Sequence, residues 1–101
     1  MALIRVSSAS EFPPGAVKEI EANGATYAVC NADGDFHCLE GICPHAGGPL
    51  GQGTLSGNHV VCPWHGWEFD CRTGANDFDE DLQVQTYPVV VQNGEILIDV
   101  P

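Results

Sequence analysis

The sequence predicts an all-β domain, a small barrel or sandwich of antiparallel strands. Three observations lead there: short apolar or alternating segments at close spacing, glycine-containing turn signals between them, and no stretch that suits a helix. Residues 2–6 read as a brief apolar strand. Phe12-Pro13-Pro14-Gly15 makes a turn, because proline fixes φ and glycine tolerates whatever follows. Residues 17–21 alternate apolar and charged side chains, as a half-buried strand does. Residues 18–22 could pass as a helical turn, but Pro14 and Gly24 hem it in. Residues 25–30 and 36–39 flank Asp33-Gly34, a strong hairpin signal. A smaller hairpin is read at Gly57-Asn58, between 54–55 and 59–62, and 67–69 is a short strand ended by Thr73-Gly74. Residues 84–91 and 95–100 flank Asn93-Gly94, the clearest hairpin in the chain. No repeat, low-complexity tract or linker interrupts the order, so 1–101 is expected to be one domain.

Composition narrows the function. Against 3 Lys and Arg stand 14 Asp and Glu, a formal charge of -11. Such a polyanion is repelled by phosphate backbones and anionic membrane surfaces, which argues against nucleic acid and membrane partners. The same excess favours proteins with basic surfaces and speeds encounter with them. A chain of 101 residues has little room for a substrate pocket and a catalytic apparatus, so a carrier or binding module is expected rather than an enzyme. The N-terminal residues carry neither a basic run nor a long apolar stretch, and no export signal or membrane span is expected. The five cysteines (Cys30, Cys38, Cys43, Cys62 and Cys71) are an odd number, which reads as reduced thiols and metal ligands in a cytoplasmic protein.

Two segments break the strand rhythm with glycine and proline, residues 41–53 and 63–66, and the loops that carry the cysteine and histidine boxes are set at about 41–53 and 62–70. The first loop holds Cys43-Pro44-His45 and the second Cys62-Pro63-Trp64-His65. Two thiols and two imidazoles on paired loops make a four-ligand metal site plausible on chemistry alone. Ordinary core cysteines with surface histidines, or a structural Cys2His2 zinc site, would use the same residues. Zinc sites generally open with two cysteines close together, whereas each loop here offers one thiol and one imidazole. That mixture suits a two-iron cluster in which one iron takes the thiolates and the other the imidazoles.

On these residues the sequence resembles the Rieske family: Cys43-Pro44-His45 with Gly47 and Gly48, and Cys62-Pro63-Trp64-His65-Gly66-Trp67 with Phe69-Asp70. The flanking strands extend the likeness over nearly the whole chain. The resemblance implies one Rieske-type [2Fe–2S] cluster, with Cys43 and Cys62 on one iron and His45 and His65 on the other. It also implies a Rieske-like antiparallel β-sandwich with a small cluster-binding subdomain of two ligand loops. Charge arithmetic agrees with the donor set. Two ferric ions, two sulfides and two thiolates sum to zero, so neutral imidazoles in place of further thiolates raise the reduction potential.

Within the family, the respiratory and photosynthetic proteins have a disulfide joining the loops. Gly48 and Trp64 occupy its positions here, so that staple cannot form. Terminal oxygenases add a large catalytic domain, for which 101 residues leave no space. The resemblance then implies the ferredoxin component of a multicomponent aromatic-ring-hydroxylating dioxygenase, carrying single electrons from a flavin-dependent reductase to the terminal oxygenase. The small Rieske subunit of an assimilatory NAD(P)H nitrite reductase is the alternative, and a zinc module a second.

Other residues are given plainer roles. The family's proline-rich loop after the second box would fall at residues 75–83, which contain no proline but hold Asp77, Asp79, Glu80 and Asp81. This acidic run is read as a solvated face or a docking surface. His37 and His59 lie on or beside strands without a cysteine partner. Counting out from Asp33-Gly34 sets Val29, not Cys30, opposite Cys38, which disfavours a cross-strand disulfide. Cys71 is expected as a reduced, partly buried thiol, and Trp64 and Trp67 as an apolar cover that keeps water off the site. Where high-potential relatives place hydroxyl donors to the cluster, this chain has Trp67 and Phe69, which predicts a potential near the bottom of the family range.

Overall fold

The computed structural model describes residues 2–44, 47–64, 66–76 and 81–101. These form ten strands: β1 (Ala2–Ser8), β2 (Val17–Ala22), β3 (Ala25–Ala32), β4 (Asp35–Glu40), β5 (Thr54–Ser56), β6 (His59–Val61), β7 (Glu68–Asp70), β8 (Thr86–Tyr87), β9 (Val89–Gln92) and β10 (Glu95–Val100). Three antiparallel sheets result, ordered β1-β10-β9, β2-β3-β4-β8 and β5-β6-β7. The all-β expectation holds among the described residues.

Tight turns set the registers. Asp33-Gly34 and Asn93-Gly94 take positive φ at both residues, 55° and 96°, then 53° and 76°. That is the twist-matched hairpin turn the dipeptides favour. Asn23-Gly24 does the same at 54° and 83° between β2 and β3, a turn beyond those expected from the sequence. The β3–β4 register places Val29 opposite Cys38, as counted from the sequence.

One expected strand divides. Residues 84–91 do not run as a single strand: β8 pairs with β4 in the second sheet, whereas β9 pairs with β10 in the first. Pro88 stands at the break. It has no N–H with which to continue a ladder, while its carbonyl accepts the Asp99 N–H at 2.9 Å. β1 reaches two residues beyond expectation, with a register shift between Arg5 and Ser7. A short 3-10 turn over Ala9–Glu11 follows it.

β3 is the central wall of the molecule. Residues 27–32 are all buried, because side chains alternate between two cores on its two faces. Tyr27 and Val29 face one way and pack with Phe12, Cys38, Ile96, Ile98 and Val100, which fastens the first sheet to the second. Ala28, Cys30 and Ala32 face the other way with Leu39, Leu50, Val60, Phe69 and Val84. Cys43, Cys62 and Cys71 are buried in that second core. The two cysteine boxes therefore grow out of a packed interior.

Candidate metal centre

The first loop leaves β4 and returns on itself as a narrow finger. Leu50 N–H donates to the Gly41 carbonyl at 2.8 Å, Ile42 bridges Pro49, and Cys43 N–H donates to the Gly48 carbonyl at 2.8 Å. Gly47 N–H closes the turn on the Cys43 carbonyl at 2.7 Å. Glycine is needed where this finger meets the body. A Cβ on Gly41 would lie 2.6 Å from the Thr26 backbone, and one on Gly51 would lie 2.6 Å from Cα of Glu19. Buried Leu50 anchors the finger from below.

The second loop is the turn of the β6–β7 hairpin. Val61 pairs with Glu68, and one step further Cys62 N–H donates to the Trp67 carbonyl at 2.7 Å. Cys43 and Cys62 thus sit at the bases of their loops and are buried, while Pro44, Pro63 and Trp64 are exposed.

The two thiols meet. Cys62 Sγ is in hydrogen-bond contact with the Cys43 thiol and accepts from the Trp64 backbone N–H. Burial, reinforced by Cys43, pushes the Cys62 thiol up, and the Trp64 N–H opposes that rise. Room for a sulfur-bound group is kept by a missing side chain, since a Cβ on Gly48 would come within 2.7 Å of Cys62 Sγ. Two facing sulfur donors, one N–H aimed at a sulfur and a glycine alongside fit an iron–sulfur group bound through thiolates. Among the described residues no third His, Cys, Asp or Glu joins them as a metal-binding group. His45 and His65, the other two expected ligands, lie outside the described residues.

The remaining expectations divide. Trp67 packs against the core that holds the cysteines, but Trp64 is 49% exposed, so the two indoles do not form one cover. His37 pairs with Cys30 across β3–β4, and His59 stands opposite Asp70 across β6–β7, both away from the thiol pair. Cys71 is fully buried rather than partly so, and its thiol is in hydrogen-bond contact with that of Cys30. This pair went unseen in the sequence because it joins β3 to the end of β7 through the core. Cys38 faces the opposite core, and burial pushes its thiol up to about 12. All five cysteines are free thiols.

Asp77, Asp79 and Glu80 of the acidic run lie outside the described residues, and Asp81 is exposed. The base of that loop is closed by an Ala75–Gln83 bridge and by the Val84 N–H on the Gly74 carbonyl at 3.0 Å. No helix among the described residues is long and apolar enough to cross a membrane.

A small antiparallel body carrying two sulfur donors at the bases of two loops defines a class: β domains that build a metal centre on loops rather than in a cleft. The Rieske [2Fe–2S] domain model matches residues 2–88, and the chain belongs to that family, whose cofactor is a Rieske-type [2Fe–2S] cluster. Among curated relatives, ferredoxin CarAc of Metapseudomonas resinovorans is 30% identical, with 94% of this chain and 91% of the relative covered. Apoptosis-inducing factor 3 of Mus musculus is 32% identical over 92% of this chain, which spans only 16% of that relative's length. A solved complex of reduced oxygenase and oxidized ferredoxin in carbazole 1,9a-dioxygenase matches with a TM-score of 0.88 at 30% identity, covering 95% of this chain and 91% of the other. A putative NADH-dependent nitrite reductase small subunit from Mycobacterium tuberculosis shares the fold, with a TM-score of 0.88 at 21% identity, covering 99% and 96% of the two chains.

Proposed function

We propose that this chain is the ferredoxin component of a multicomponent aromatic-ring-hydroxylating dioxygenase, a cytoplasmic one-electron carrier with no catalysis of its own. In this reading residues 1–101 are a single domain with ligand loops at about 41–53 and 62–70. Cys43 and Cys62 hold one iron, and His45 and His65 hold the other. The observation that carries the reading is the pair of buried, facing thiols at the bases of two loops, in a chain that matches a ferredoxin along nearly the full length of both. Bound there, a Rieske [2Fe–2S] cluster supplies a one-electron couple.

The chain's own residues do the rest. The Trp64 N–H donates to Cys62 sulfur and so favours its anionic form. Trp67 and the core beneath the cysteines exclude water. Residues 41–67 contain no Asp, Glu, Lys or Arg, so the loops themselves carry no formal charge, with Ile42 and Trp64 48% and 49% exposed. A flavin-dependent reductase and a terminal oxygenase with basic patches would be drawn in by the acidic body and make contact over this neutral end.

The nitrite reductase alternative has fold likeness alone behind it, and the zinc alternative lacks the paired-cysteine opening such sites generally use. The test has two stages. The purified protein should be reddish-brown and give a Rieske-type EPR signal on reduction; colourless, zinc-containing protein overturns the reading. The reduced protein should then be reoxidised on mixing with the terminal oxygenase of an aromatic-ring dioxygenase. Reoxidation by a nitrite reductase large subunit and not by the oxygenase overturns the carrier role in favour of the alternative.

A further inference from the structure

We propose that Gly48 and Trp64 form a non-covalent clasp that holds the two ligand loops in register over the Cys62 sulfur, which makes Trp64 a positioning residue for the metal centre. The inference rests on the ligand assignment above. Its first support is distance. A methyl group placed on Gly48 would lie 2.7 Å from Cys62 Sγ and 3.0 and 3.1 Å from Cγ and Cβ of Trp64. The backbone of the first loop therefore runs directly against both the sulfur and the root of the indole, and only glycine allows that approach.

The second support is how each partner is tied to a cysteine. Gly48 accepts the Cys43 N–H through its carbonyl at 2.8 Å. Trp64 donates its own N–H to Cys62 sulfur. The residue by which each loop touches the other is thus also the residue that hydrogen-bonds its own loop's cysteine. A slip at the Gly48–Trp64 contact would disturb both cysteines together. No covalent link performs this task, since all five cysteines are free.

The third support is the contrast between the two indoles. Trp67 spends its apolar surface on the core, whereas Trp64 leaves 49% of its surface exposed while its root lies against Gly48. Its contribution is therefore local to the loops, outside both cores.

Iron release to a strong chelator, followed as loss of visible absorbance, tests the clasp on the iron-loaded full chain. Residues that orient metal ligands from behind typically change metal retention by about 10–100-fold. Trp64→Ala should release iron about tenfold faster or more, and Trp64→Phe should restore most of the loss, because a ring still covers Gly48. Gly48→Ala should also hasten release. In the Trp64→Ala background its further effect should be smaller than in the wild type, because the 3.0 Å contact with Cγ has gone and the shortened side chain can yield.

Two further readouts separate positioning from bulk stability. The EPR g-values should shift in Trp64→Ala, and the thermal midpoint of the body sheets should not. If Gly48→Ala fails to load iron, the Trp64→Ala and Trp64→Phe pair decides alone. A Trp64→Ala protein that keeps its iron as long as the wild type, with unchanged g-values, overturns the clasp while leaving the carrier reading intact. A wild-type protein without an iron–sulfur cluster sinks both together.

Discussion

The ligand-loop stretch and the rest of the chain are built from different chemistry. Residues 41–67 carry no Asp, Glu, Lys or Arg, while every one of the 14 acidic residues lies in the remainder. The loop end buries two thiols under glycine and proline turns and exposes Ile42 and Trp64. The body buries aliphatic side chains such as Ile96, Ile98 and Val100 and exposes acids such as Glu21, Asp33 and Asp35. The difference separates two tasks. Acids on the body supply a field that reaches about a Debye length and favours basic surfaces. A neutral tip lets a partner come close without stripping water from charges, a cost that offsets much of an ion pair's gain.

The largest effect should fall on one region alone. Cys62→Ala or His65→Ala is expected to abolish the visible spectrum, because each iron needs its full ligand set. The same proteins should keep the far-UV signature of the body sheets. His37→Ala and His59→Ala should keep their colour, since neither stands with the thiol pair. A colourless His59→Ala protein would break the ligand assignment. The converse experiment is Ile98→Ala, deep in the core behind β3. Removing those methyl groups should cost about 2–5 kcal/mol in unfolding free energy, with the midpoint potential unmoved. A shifted potential would mean the two regions are coupled through β3.

The sequence was most legible where structure is local. Asp33-Gly34 and Asn93-Gly94 announce their hairpins because two adjacent residues must accept positive φ, and the Cys43-Pro44 and Cys62-Pro63 steps announce the two thiols that meet. Asn23-Gly24 carries the same signal between β2 and β3. Pro88 shows what pattern cannot supply. Residues 84–91 look like one strand until the missing N–H lets the chain change sheets. The approach of Gly48 to Cys62 and the meeting of Cys30 with Cys71 depend on how distant segments pack, and no local spacing encodes either.

A smaller effect concerns potential. Phe69 is fully buried in the core that holds the cysteines and brings no hydrogen-bond donor to it, and Trp67 brings no hydroxyl. Without hydroxyl donors to offset the added charge of reduction, the midpoint should lie near the bottom of the Rieske range, about -150 mV. The acidic body pushes the same way, weakened by solvent screening. A redox titration giving a midpoint well above zero would contradict the oxygenase-carrier reading.

Docking kinetics should sharpen the comparison further. The association rate with reductase or oxygenase should fall as salt rises, because the body's charge steers encounter, while the dissociation rate changes little over the neutral tip. Replacing Asp77, Asp79, Glu80 and Asp81 by their amides takes the formal charge from -11 to -7. Association should slow and the cluster spectrum should stay as it is. A salt-independent rate would assign recognition to the apolar tip alone.

The smallest effect lies just beyond the loops, where Asp70 ends β7. Arg72 reaches back to it with Nε at 3.2 Å from Oδ1 and Nη2 at 3.0 Å from Oδ2, and the Arg72 backbone N–H adds a bond of 2.8 Å to Oδ1. The Arg72 guanidinium, helped by that N–H and by His59 across the ladder, holds the Asp70 carboxyl below its ordinary value of 3.8. A depressed carboxyl stabilises the fold where it is ionised in both states, and that contribution is lost as pH falls through the folded value. The Arg72 side chain is 56% exposed, so water and salt screen the pair and the effect is small. Arg72→Ala should therefore melt slightly below the wild type at pH 6, with the gap closing as pH falls below about 4. Both proteins carry the same metal centre, so its own acid sensitivity cancels in the difference. A gap that persists well below the folded value of Asp70 would show that Arg72 acts through packing rather than charge.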